Sequence, residues 1–143
     1  MVIRVLKPKD ITPPVIEKVN NLLYQENPKL KKLSKVDLES IVSQKSARLL
    51  VAWEDSELVG MLTAVCYRCP SKICVAVEDV VVDQNYRRWG IGRALVNEAI
   101  EWARKMGASK VDLTSSMEKE AAHAFYESLG FEIRQTNPYR FYL

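Results

Sequence analysis

Residues 78–95 read Glu78-Asp-Val-Val-Val-Asp-Gln-Asn-Tyr-Arg-Arg-Trp-Gly-Ile-Gly-Arg-Ala-Leu95. The preceding stretch, from Ile73 to Val82, is strongly β-branched, and only Glu78 and Asp79 interrupt it. A strand covered on both faces has this composition. Beyond Gly90 and Gly92 the period changes. Ile91, Leu95, Ala99 and Trp102 recur at helical spacing, and Val96, Ile100 and Ala103 widen the stripe. A buried strand therefore runs through a short glycine loop into a long helix. The first turn of a helix leaves backbone N–H groups unpaired and carries partial positive charge. Glycine lets a ligand approach that backbone closely, and Arg87, Arg88 and Arg93 add cations at the same opening. Together these features form an anion site suited to phosphate. The pattern G-x-x-x-x-G-K-[ST] is absent, and Leu95 stands where the dinucleotide fingerprint needs a third glycine.

Working outward, Val2–Leu6 reads as a short strand. Thr12 suits an N-cap and Pro13 a first helical position, opening a helix to about Glu26 (Val15, Ile16, Val19, Leu22, Leu23). Asp37–Gln44 reads as a second helix. Leu49–Trp53 and Leu58–Tyr67 read as a hairpin about a turn at residues 54–57, with Gly60 tolerated inside the second strand. After the helix that Gly107 closes come a buried strand, Val111–Leu113, and a last helix (Ala121, Ala122, Phe125, Tyr126, Leu129) ended by Gly130. Phe131–Ile133 and Tyr139–Tyr142 read as two final strands around a turn at Asn137-Pro138. The expected fold is α+β: three layers, with a mixed central sheet of about six or seven strands and helices on both faces. The strand–helix–strand unit from Ile73 to Leu113 is expected to be a right-handed parallel crossover.

The chain has 143 residues, the size of one domain spanning 1–143, and is long enough to bury a core. Its 48% hydrophobic and 27% charged residues exclude a disordered or fibrous chain. No apolar run reaches the ~18–20 residues a membrane helix needs, so no membrane partner is expected. Arg4, Lys7 and Lys9 interrupt any apolar signal core, which points to a cytoplasmic location without a secretory peptide. A net charge of +3 permits an anionic ligand without demanding nucleic acid, and none is expected. Lys29, Lys31, Lys32 and Lys35 read as a solvated loop. Cys66, Cys69 and Cys74 read as free thiols. A zinc site would need a fourth ligand, and the only histidine, His123, lies far along the chain, so no metal is expected.

Arg87-x-x-Gly90-x-Gly92 resembles the [Arg/Gln]-x-x-Gly-x-[Gly/Ala] signature of the GNAT superfamily of N-acetyltransferases. Ala121-Ala-His-Ala-Phe-Tyr126-Glu-Ser-Leu-Gly-Phe131 is similar to that family's closing segment, in the right order and at the usual separation. The resemblance covers essentially the whole chain. It implies an acetyl-CoA-dependent acyltransferase whose loop amides, from Arg87 through Arg88, Trp89, Gly90, Ile91, Gly92 and Arg93 to Ala94, hold the cofactor pyrophosphate. It also implies that the strand Val80-Val81-Val82 bulges and splays from Val111–Leu113, exposing backbone groups to the pantetheine arm.

Acetyl transfer to an amine requires a held thioester, a neutral amine, a donor for the tetrahedral oxyanion and a proton for the leaving thiolate. Glu78 and Asp79 are the base candidates, since a carboxylate is costly to leave unpaired in an apolar strand. Strand alternation sets them on opposite faces, and the resemblance favours Glu78. Tyr126 is the candidate acid, a phenol near pKa 10, with a Phe125-Tyr126 core pair as the other reading. Many family members carry an asparagine where this chain has Lys119, which could instead meet a cofactor phosphate. His123 reads as structural.

The acceptor pocket is expected between Tyr24 and Leu33 and on the strand holding Tyr67 and Arg68. The lysine-rich loop hints at an acidic or phosphorylated acceptor, and residues 78–83 also resemble those of glucosamine-phosphate acetyltransferases. The expected partners are a small-molecule or peptide amine and a second copy, because an aromatic edge strand at Tyr139–Leu143 could pair across subunits. A GNAT-like module that senses CoA without catalysis is the alternative.

Overall fold

The structure, a computed structural model, describes residues 1–143. Five strands, β1 (Val2–Val5), β2 (Ala47–Glu54), β3 (Glu57–Cys69), β4 (Lys72–Val82) and β5 (Lys110–Leu113), form one sheet in chain order. The first three pairings are antiparallel, and β4 with β5 is parallel. The crossover between them is α3 (Ile91–Lys105), as the change of period from 2 to 3.6 requires. The other helices are α1 (Pro13–Glu26), α2 (Lys35–Val42) and α4 (Glu120–Ser128).

Alternating strand residues feed two cores on opposite sheet faces. Leu49 and Val51 pack with Val15, Val19 and Leu22 of α1 and Leu38 of α2. Leu50 and Ala52 pack with Ile91, Leu95, Val96 and Ala99 of α3, and Phe125, Tyr126 and Leu129 of α4 border that second core. The three-layer arrangement is therefore present. Gly60 is more than tolerated in β3. A Cβ there would stand 3.2 Å from both Ile91 Cγ2 and the Val81 carbonyl, so its absence lets the start of α3 sit close on the sheet. No helix is long and apolar enough to cross a membrane.

Several expectations are corrected. The sheet has five strands, not six or seven, because neither Phe131–Ile133 nor Tyr139–Tyr142 pairs with a neighbouring strand. Residues 137 and 138 make no turn, and the chain bends at Gln135 instead. Aromatic and β-branched composition becomes a strand only against a partner, and within one chain these residues have none. The second helix begins at Lys35, not Asp37. Ser34 accepts from the Asp37 amide at 3.2 Å while the Asp37 carboxylate accepts from the Ser34 amide at 2.8 Å, which closes a capping box. Thr12 does occupy the N-cap of α1 but makes no side-chain cap bond. Pro13 and Pro14 follow it, and neither has an N–H to offer.

Candidate active site

The sheet opens in the middle of β4. Pairing with β5 runs from Cys74 opposite Lys110 to Val77 opposite Leu113 and stops there. On the other edge, Thr63 faces Glu78 and Met61 faces Val81, so Asp79 and Val80 together oppose Leu62. This is a β-bulge. Asp79 takes φ +49°, a left-handed conformation that Asp and Asn accept more readily than other side chains. The bulge ends the simple alternation expected for Glu78 and Asp79. Beyond it Val81 is buried towards α1, while Val80 and Val82 pack towards α3. From Glu78 onward the edge of β4 that faces β5 is open.

The loop after β4 ends in a positive-φ pair, Arg88 at +68° and Gly90 at +79°, with Gly90 as the N-cap of α3. The first amide of this helix to find an acceptor is that of Ala94, which donates to the Gly90 carbonyl at 3.0 Å. The amides from Arg87 to Arg93 donate to no atom of the protein. A continuous run of unpaired donors therefore opens onto the end of β4. The three arginines are exposed around it. Arg87 Nε donates to the Val82 carbonyl at 3.3 Å, and Arg93 donates to Ser128 Oγ at 3.1 Å. Trp89 is exposed and lies edge-on to Tyr86, with centroids 5.4 Å apart. Free amides, a helix start and uncompensated guanidinium groups suit a pyrophosphate, so the residues present fit the cofactor that the loop implies.

Tyr126 of α4 is half-buried, tilted against Phe125 at 5.1 Å and edge-on to Phe131 at 5.8 Å. Burial, and then the charge of Glu26, hold its phenol above the ordinary tyrosine value. Asp79 presents open surface, but its carboxyl is desolvated by the surrounding chain. That desolvation, followed by repulsion from Glu26, raises it above the usual carboxylate range. Glu78 is exposed. Glu26, the last residue of α1, bonds the Lys119 ammonium at the N-cap of α4. Lys119 is thus engaged with a carboxylate across the fold. His123 Nε2 lies 2.8 Å from the Ser116 carbonyl. A carbonyl only accepts, so that nitrogen carries the proton, which is a structural role.

The expected site residues are only partly brought together. Glu78, Val80–Val82, the loop 87–94, Lys119 and Tyr126 all belong to the region where β4, α3 and α4 meet the end of α1. Tyr67 and Arg68 do not. They pair with Cys74 and Ile73, at the hairpin end of the sheet. Tyr67 is four positions along β3 from Thr63, the partner of Glu78, and so roughly 13 Å away. Tyr24 is exposed in the last turn of α1. The residues that sequence reasoning missed are its neighbours. Gln25 donates to Asp83 at 3.3 Å and accepts from the Gln84 amide at 3.0 Å, which ties α1 to the start of the glycine loop. Glu26 influences both Asp79 and Tyr126. No local pattern marks either residue. The cysteines are unpaired, Cys66 and Cys74 buried and Cys69 exposed.

A sheet whose β4 edge is open beyond a bulge, followed by a glycine loop of free amides, presents an anion-binding site. The chain belongs to the GNAT family: the model described as "Acetyltransferase (GNAT) family" matches residues 16–131. An uncharacterised N-acetyltransferase, YhdJ, of Bacillus subtilis is 33% identical over 100 residues, covering 67% of this chain and 69% of that protein. A glucosamine 6-phosphate N-acetyltransferase of Trypanosoma brucei brucei is 46% identical over 59 residues, 41% of this chain and 38% of that one. For several curated relatives the match spans only 26–38% of their length. Among solved structures, a putative acetyltransferase from Agrobacterium tumefaciens superposes with TM-score 0.87 at 25% identity, covering 100% of both chains.

Proposed function

We propose that the chain transfers an acetyl group from acetyl-CoA to a primary amine of a small molecule or peptide, by direct attack of the amine on the thioester, and that it works as a homodimer. The observation carrying this reading is the run of unpaired amides from Arg87 to Arg93 at the end of an opened β4. Bound there, acetyl-CoA supplies the activated acyl group. The loop amides and the three arginines hold the pyrophosphate, and the open edge from Val80 to Val82 supplies backbone groups to the pantetheine arm and the thioester carbonyl. A carboxylate at the bulge takes the proton from the incoming ammonium. Glu78 is exposed and free to reach an acceptor, and Asp79, whose affinity for a proton is raised, stands beside it. The Tyr126 phenol, held protonated by its surroundings, gives a proton to the departing thiolate.

The test is thiol release from acetyl-CoA over a panel of polyamines, amino sugars, amino acids and peptides, after calorimetry has established CoA binding. Turnover with one class of amine supports the proposal and names the acceptor. Binding with no turnover across the panel would leave a CoA-sensing module instead.

A further inference from the structure

Two charged residues stand at helix ends that disfavour them. Glu26 is the last residue of α1, a helix with no basic residue in its final turn, so a carboxylate is added to the negative end of that helix. Lys119 is the N-cap of α4, where it makes no side-chain cap bond and sets a cation against the positive end. Serine, threonine, aspartate or asparagine would serve that position better. Each residue breaks a local rule. The two are reconciled only with each other, through an ion pair between residues 93 positions apart. Local rules are broken in this way chiefly at functional sites.

The place where they meet is fixed by the fold. Val81 packs against α1 just beyond the bulge of β4. Gln25, the neighbour of Glu26, donates to Asp83 at 3.3 Å and accepts from the Gln84 amide at 3.0 Å, which pins the end of α1 beside the end of β4. Asp79 on the bulge and Tyr126 on α4 both hold their protons above the ordinary range, through burial first and then through the charge of Glu26. Glu26 is the one charge felt at both, so it stands among the groups assigned to proton transfer. The side chains of Glu26 and Lys119 are 40% and 51% exposed, and a dissolved cation can reach the carboxylate.

We propose that Glu26 receives the ammonium group of the acceptor, and that Lys119 holds its place until the acceptor displaces it. The inference rests on the acetyl-transfer reading and adds the charge of the substrate to it. A primary amine arrives protonated at neutral pH. Charge-assisted hydrogen bonds to Glu26 hold it in that form until the carboxylate at the bulge takes its proton. Exchange of one ammonium for another keeps Glu26 paired before and after binding. Acetylation removes the charge from the nitrogen, so the product no longer competes with Lys119 and leaves. Glu26, Glu78 and Asp79 place three acidic groups at this end of β4. A carboxylate carried beside the amine would meet their repulsion. The acceptor class is therefore an amine with no acid group on the adjoining carbon, as in a polyamine, an amino sugar or a peptide N-terminus, and not a free α-amino acid.

The experiment is steady-state kinetics with the best acceptor from the amine panel, on the wild type, Glu26→Gln and Lys119→Gln, with CoA binding followed by calorimetry in each. Glu26→Gln removes a charge-assisted contact and should raise the acceptor KM by roughly 10-fold or more. Lys119→Gln removes only the competitor and should lower that KM by up to about 5-fold, because an exposed ion pair is a weak rival. CoA affinity should be unchanged in both. The opposite signs are the signature, since a bridge that only braced α1 against α4 would be broken by either change and would move both constants the same way. An acceptor KM that Glu26→Gln leaves unchanged, or that Lys119→Gln fails to lower, would overturn the inference and leave acetyl transfer standing. So would a free α-amino acid as the best acceptor, or a loss of CoA affinity in Lys119→Gln, which would place that lysine on the cofactor. No turnover with any amine would end both readings together.

Discussion

The two glycines of the loop answer different physical demands, and alanine separates them. Gly90 holds φ +79°, and a Cβ built there would meet nothing within 4 Å. Its requirement is therefore conformational, not steric, and Gly90→Ala bears the left-handed penalty of roughly 1–2 kcal/mol. Gly92 lies in the first turn of α3, where its Cβ would stand 3.4 Å from Phe125 Cζ and 3.7 Å from Val82 Cγ2, ordinary contact distances. Gly92→Ala gains up to about 1 kcal/mol of helix propensity and clashes with nothing. At about 2.1 cal/mol/K per residue, a chain of this length unfolds with an entropy of roughly 0.3 kcal/mol/K near its midpoint. Gly90→Ala should lower Tm by about 3–7 °C, and Gly92→Ala should leave it unchanged or raise it by up to about 3 °C. Scanning calorimetry on the ligand-free protein reads both. Gly90→Asn provides an internal check, because asparagine accepts a left-handed φ and should recover part of the loss. Equal effects of the two alanines, or a neutral Gly90→Ala, would refute the division of roles.

Gly92→Asp places a carboxylate among the free amides of the loop; CoA binding by calorimetry should be lost from a protein that still folds, and unchanged affinity would remove the loop from the cofactor site. Tyr126→Phe deletes one oxygen and keeps the ring, so turnover should fall by roughly 10²-fold with both substrates still bound. The wild type's decline in activity above pH ~10 should be absent from the variant, and wild-type turnover in the variant would return Tyr126 to the wall of the core. Asp79 titrates higher folded than unfolded, through desolvation first and Glu26 second. Its contribution to stability is therefore complete below the unfolded value and lost as pH rises through the folded one. Asp79→Asn keeps the left-handed bulge and should raise Tm at pH 7, with the gain vanishing below pH ~4. An identical gain at pH 3 and pH 7 would contradict this.

The strand–loop–helix unit was legible because its signals are local. The period changes within a few residues, glycine marks the change, and arginines flank it. What escaped depends on distant partners. The aromatic segment 139–142 has the composition of a strand, but whether it becomes one depends on an edge to pair with, and composition cannot supply that. Ser34 and Asp37 do form a local capping signature, which the apolar spacing of Leu38, Ile41 and Val42 overshadowed. Alternation along β4 hid the bulge at which Asp79 takes its left-handed backbone. Gln25 and Glu26 act on residues 58 and 93 positions away, so no window of sequence contains both partners.

The free amides of the loop have one more consequence. Every residue except proline carries the same N–H, so the capacity to grip an anion between Arg87 and Arg93 resides in the path of the chain and not in the identity of its side groups. Truncating Arg87, Arg88 or Trp89 to alanine removes a charge or a ring and leaves that array intact. Side-chain scanning is therefore blind to most of this surface. Replacing single peptide bonds by esters, which exchanges an N–H for an oxygen without altering any side chain, addresses it one donor at a time.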